Sequence, residues 1–131
     1  MTARLVLALN NRDADEFGRV CSARSRLYGP LGGAGVGALE IRSMLRREFE
    51  DPWLAQARLE GQVSHSEWSK APFTTVVWEG TVSALSGASG VRVSLPVSLS
   101  FVYRREAGEW VLLAANLVLP RVVEIAPSGD R

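Results

Sequence analysis

The chain has 131 residues, a formal net charge of +1 and 47% hydrophobic side chains, which suits one domain with a substantial core. So small a net charge supplies no field that would recruit nucleic acid or an anionic membrane, and the fourteen Arg residues against the single Lys70 are scattered rather than striped. Cys21 is the only cysteine, which excludes an internal disulfide and favours a reducing, cytoplasmic setting. The five apolar residues ahead of Asn10 are too few for a signal-peptide core, and no window reaches membrane-spanning length.

In chain order, Leu5, Val6 and Leu9 give a first helical face ending near Asn10-Asn11. Asp13 followed by Glu16 is a capping-box pattern that starts a second short helix through Phe17 and Val20. Arg24 to Tyr28 reads as a short strand closed by Gly29-Pro30. Residues 31–37, LGGAGVG, read as a connecting loop, since they lack the Lys-Ser/Thr ending with which a P-loop holds phosphate. Ala38 to Glu50 is a helix with Ile41, Leu45 and Phe49 on one stripe and Arg42, Arg46 and Arg47 turned to water, and Asp51-Pro52 stops it.

Strands follow. Leu54 to His65 and Phe73 to Leu85 form a hairpin around SEWSKAP, and SGASG turns the chain into a second, longer hairpin. In its first strand Val91, Val93, Leu95, Val97, Leu99, Phe101 and Tyr103 alternate with mostly polar residues, the period of a strand with two unlike faces. Its return strand, Val111 to Leu119, is hydrophobic everywhere except Asn116, so both sides of the sheet need a cover there. Helices supply one cover and a second subunit the other. The tail after Pro120 is polar and is expected to fray. Helices placed ahead of a twisted antiparallel sheet make an α+β plan in a single domain spanning 1–131, with a pocket at its open end.

Two titratable residues are weak catalytic candidates. His65 is the only histidine and stands beside the first hairpin turn, where a solvated role is the ordinary one. Glu79 interrupts VVWEGTV: pointing inward it would serve as a general base, pointing outward it is a surface charge. The alternation of Val76, Trp78, Gly80 and Val82 favours the outward orientation and makes Trp78 an inward wall, either core or ligand platform. No His, Cys and acid cluster has metal-ligand spacing, so neither metal nor other cofactor is expected.

Three passages, ALNNRDADEF at 8–17, GPLGGAGVGALEIRSML at 29–45 and FVYRREAGEWVLLAANLVLP at 101–120, resemble the nuclear-transport-factor-2-like superfamily. Its members include ketosteroid isomerases, polyketide cyclases, limonene epoxide hydrolases and non-enzymatic dimerisation domains. The resemblance implies a cone, with N-terminal helices packed into a curved, mostly antiparallel sheet around a pocket. It places Gly29, Leu5 and Ser100 where the isomerases carry their base, tyrosine and partner acid. It places Ser98, Ser100, Leu113 and Ala115 where the hydrolases carry paired acids and an arginine, so the usual catalytic groups are missing from both sets. It also turns Ser98, Ser100 and Val102 toward the cone interior, with Phe101, Tyr103 and Asn116 on an outer sheet face that a homodimer would cover; a Phe101→Glu change should then give monomers or aggregates. On this reading Tyr28, at the pocket mouth, joins Trp78, Ser98 and Ser100 in binding a small hydrophobic molecule. That implies an isomerase, cyclase or dehydratase of secondary metabolism, or alternatively a non-catalytic assembly or ligand-sensing domain.

Overall fold

The structure is a computed structural model that describes residues 1–68, 72–85 and 90–120, with Glu67 and Trp68 described in backbone only. The polar tail and the middles of SEWSKAP and SGASG lie outside them. Four helices, α1 (Thr2–Asn10), α2 (Ala14–Gly18), α3 (Ala38–Glu48) and α4 (Pro52–Gln56), pack on one open sheet. Its strands are β1 (Cys21–Tyr28), β2 (Ala34–Val36), β3 (Arg58–Trp68), β4 (Phe73–Leu85), β5 (Arg92–Glu106) and β6 (Glu109–Asn116), in the order β2-β1-β6-β5-β4-β3. Among the described residues only the β1–β6 pair is parallel. Among the described residues no helix is long and apolar enough to cross a membrane.

Local chemistry explains most element ends. The Asp13 side chain accepts from the Glu16 amide and starts α2, as the capping box requires. Asp51-Pro52 does more than stop α3. Asp51 accepts from the Trp53 and Leu54 amides with Pro52 in the first turn, so the pair opens α4 where a strand was expected to begin. The glycine-rich segment also contains β2, a three-residue edge strand paired with β1. Asn10, beyond ending α1, bonds the Leu59 backbone in both directions, at 2.9 and 2.8 Å, and ties the first helix to β3. Arg42 is not turned to water: its Nε is buried, and its side chain lies so close over Gly18 that a Cβ there would meet it at 2.2 Å.

The register of β4 against β5 decides the two faces of the sheet. Trp78 stands opposite Leu99, Val76 opposite Phe101 and Thr74 opposite Tyr103, and all six side chains are buried beneath the helices. Leu99, Phe101 and Tyr103 are 0% exposed. The orientation carried by the resemblance is therefore reversed: Phe101 and Tyr103 line the core, while Ser98 and Ser100 are exposed on the outer face. Burial provides the reason. Each large apolar side chain removed from water is worth about 1.5–3 kcal/mol, whereas serines facing the core would need hydrogen-bond partners there. A charge at Phe101 would consequently break the fold instead of separating subunits. Gly61 and Gly80 pair where the two backbones approach too closely for a Cβ on either residue.

The Tyr103 hydroxyl and the Thr2 hydroxyl share a buried hydrogen bond of 2.6 Å that fastens the start of α1 to the sheet. Burial pushes the Tyr103 phenol up from its ordinary 10.0 to about 12, although the Thr2 bond acts the other way. The folded chain thus keeps a proton that the unfolded chain releases, so this contribution is intact below pH 10 and lost as pH rises toward 12. Tyr103→Phe should cost about 1 kcal/mol at neutral pH. It should also flatten the decline in thermal midpoint across that alkaline window, measured by calorimetry against the wild type.

Candidate functional site

In a cone of this kind the first place to look for a site is between helices and sheet, and that space is filled. Phe17, Ile41, Leu45, Leu99, Phe101, Tyr103, Leu112 and Leu117 are each 0% exposed, so no water-sized void touches them. The buried polar side chains of the described residues are Thr2, Ser25 and Thr74, joined by the phenol of Tyr103; no Asp, Glu or His is among them. Proton transfer needs a titratable group in contact with substrate. Among the described residues the titratable groups on the core side of this sheet are Tyr103, whose hydroxyl is engaged by Thr2, and the half-buried Cys21.

Trp78 is 3% exposed and part of that core, not a wall open to a ligand. Glu79 is exposed on the opposite face, across from Ser98 and Gln62. His65 lies within β3 instead of beside its turn, exposed, next to a β-bulge and opposite Val77. Cys21 is half-buried and bonds the Phe17 carbonyl. Burial raises its thiol from 9.0 to about 11, against the lowering effects of the Ser25 bond and the Arg42 charge, so at neutral pH it is a thiol and a poor nucleophile. Among the described residues no three potential ligands gather around a metal position.

Two of the sequence candidates do come together, on the outer face. Tyr28 of β1 pairs in register with Asn116 of β6, and Asn116 with Ser100 of β5, forming one row across three strands. The adjacent row runs Arg26, Ala114 and Val102. A cleft of about 290 Å³ lies over them, lined by Arg26, Tyr28, Ser100, Val102, Ala114, Ala115 and Asn116. Small residues at Ser100 and Ala114 leave the depression, and the long side chains of Arg26 and Tyr28 wall it. Ser98 is outside, in a shallow recess with Glu79, Gly80, Pro96 and Val97. The sequence reading missed Arg26, although its position two residues before Tyr28 on one strand already put the two on the same face.

The outer face is also apolar over a wide area. Tyr28 is 57% exposed, Val36 49% and Phe73 45%, and Val77, Val102, Val111 and Ala114 are half-buried between them. The doubly apolar β6 thus resolves into Leu112 and Ala115 toward the helices and Val111 and Ala114 outward.

Comparison with solved structures matches this architecture. A ketosteroid isomerase-like protein from Erwinia carotovora atroseptica superposes with a TM-score of 0.70 at 19% identity, over 88% of this chain and 87% of that one. The chain has the nuclear-transport-factor-2-like fold. The association domain of C. elegans CaMKII matches with a TM-score of 0.66 at 18% identity, covering 88% and 87% of the two chains. A putative SnoaL-like polyketide cyclase from Shewanella denitrificans matches at 0.59 and 12% identity, over 88% and 84%. No protein-family model matches the sequence. No curated protein does either. Within this fold the chain holds the candidate strand carboxylate, Glu79, out in solvent. Glu79→Gln should therefore change the denaturant midpoint by less than about 0.5 kcal/mol in free energy, measured in urea.

Proposed function

We propose that this protein is a non-catalytic assembly module that pairs with a second copy of itself through the outer face of its sheet. The observation that carries the reading is the division of the sheet. Its helical side is packed without a void at its largest side chains, and its other side exposes Tyr28, Val36 and Phe73 around half-buried valines. Large exposed apolar patches are uncommon on soluble monomers. Six strands at a spacing of about 4.8 Å give a face about 24 Å across, wide enough for the roughly 800 Å² that each partner of an ordinary stable dimer buries. The likeness to association domains of CaMKII type from C. elegans and Thiobacillus denitrificans supports an assembling role for the fold.

The rival reading, binding or transformation of a small hydrophobic molecule between helices and sheet, is weakened by the filled core. It draws support from the isomerase-like and cyclase-like neighbours. The assembly reading is compatible with a cytoplasmic setting, where the lone Cys21 stays reduced.

Val77 tests the reading because it is half-buried in the middle of the outer face, between Ser100 and His65, and lines none of the core. Sedimentation velocity of the wild type should show dimers at micromolar concentration. Val77→Asp should give a folded monomer with an unchanged far-ultraviolet spectrum. A wild type that remains monomeric at high micromolar concentration would contradict the proposal.

A further inference from the structure

We infer that the outer-face cleft between β1, β6 and β5 is a binding site for a small aromatic carboxylate. The inference rests on the cleft of the single chain and does not require the assembly reading.

The groups around the cleft are matched to an anion. Its seven lining residues include Arg26 and no acidic residue. Among the described residues the Arg26 side chain makes no ion pair and no hydrogen bond, whereas Arg4, Arg19 and Arg46 are all paired with carboxylates. The Asn116 side-chain oxygen accepts from the Val118 amide at 3.1 Å, which leaves the Asn116 amide nitrogen as the free end, with two hydrogens to donate. Ser100 and Tyr28 add two hydroxyls whose side chains bond nothing else among the described residues. One guanidinium, one amide nitrogen and two hydroxyls therefore border a space that offers no negative charge. A carboxylate satisfies such a donor set, and a planar guanidinium binds it in two-point fashion.

The rest of the ligand follows from the floor and the volume. Val102 and Ala114 supply an apolar base, and the Tyr28 ring supplies a wall for stacking. The volume of about 290 Å³ corresponds to roughly ten water-sized groups, the size of one substituted ring. Arg26 and Tyr28 alternate with the buried Ser25 and Leu27 on β1, so the pair rises about 6.6 Å apart along the strand on one face. That spacing lets a carboxylate reach Arg26 while its ring lies against Tyr28.

The test is an NMR titration of the amide spectrum with benzoate, with benzyl alcohol as its neutral analogue and with acetate as the anion without a ring. It is run on the wild type and on Val77→Gln, a neutral change that interrupts the apolar face without setting a negative charge beside Ser100, so that the cleft is open in at least one sample whether or not a second copy covers it. Benzoate should bind saturably in at least one of the two, at least tenfold tighter than either analogue, with the largest shifts at Arg26, Tyr28, Ser100 and Asn116. Arg26→Gln should reduce benzoate to the level of benzyl alcohol. Arg24→Gln, on the same strand but outside the cleft, should leave binding unchanged. Benzoate binding no tighter than benzyl alcohol or acetate in both samples would overturn the inference, as would an Arg26→Gln chain that binds benzoate like its parent. Neither result bears on whether the wild type dimerises, which sedimentation decides separately.

Discussion

The pairing of β4 with β5, continuous from Phe73 opposite Arg104 to Leu85 opposite Arg92, is the constraint on which the rest of the molecule depends. Because side chains alternate across a strand, this one register sends Thr74, Val76, Trp78 and Val82 to the same side as Tyr103, Phe101, Leu99 and Leu95. A slip of one residue in β5 would turn Ser98 and Ser100 toward the helices and expose Phe101 and Tyr103. The helices then have a defined surface to cover. Phe17, Ile41, Leu45 and Leu5 share one buried cluster with Phe101 and Tyr103. The polar anchors are few and placed at edges: Thr2 on Tyr103, Asn10 on Leu59, and the Glu48 carboxylate on the Leu31 and Gly33 amides.

Much of this was legible in the chain because period-two alternation is a strong signal when it runs for a dozen residues. The strands from Phe73 to Leu85 and around Leu99, the helix from Ala38 and the Asp13 cap all follow from local rules. The failures are physical as well. The short helix α4 was hidden because Asp-Pro both ends one helix and starts the next, and a five-residue helix has no period of its own. The edge strand β2 was hidden because Ala34 and Gly35 carry little strand propensity, Val36 alone makes no pattern, and the three are held by pairing with β1. The orientation of Phe101 and Tyr103 was misassigned because motif likeness was preferred to the apolar alternation. In this chain hydrophobic burial determines that choice.

For the candidate site the sequence supplied residue names without their grouping. Tyr28 and Ser100 lie 72 positions apart and meet only because Asn116 stands between them in register. Trp78, read as a wall facing a ligand, became core once the helices closed over it, while Arg26 entered the cleft through the same strand geometry that placed Tyr28. The cleft therefore lies on the outer side of the sheet and not on the helical side, where the fold resemblance implies it. The helical side provides stability, and the outer side carries the exposed chemistry.

That division of the sheet, a filled helical side and an outer side that pairs, is probed by methyl NMR with a soluble paramagnetic gadolinium chelate, read at low and at high protein concentration. The methyl signals of Leu99, Leu112 and Leu117 should stay unbroadened at both concentrations. Those of Val77 and Val102 should be broadened in dilute solution and become protected as concentration rises. Broadening at Leu99 and Leu112, or outer-face methyls equally accessible at every concentration, would contradict the account.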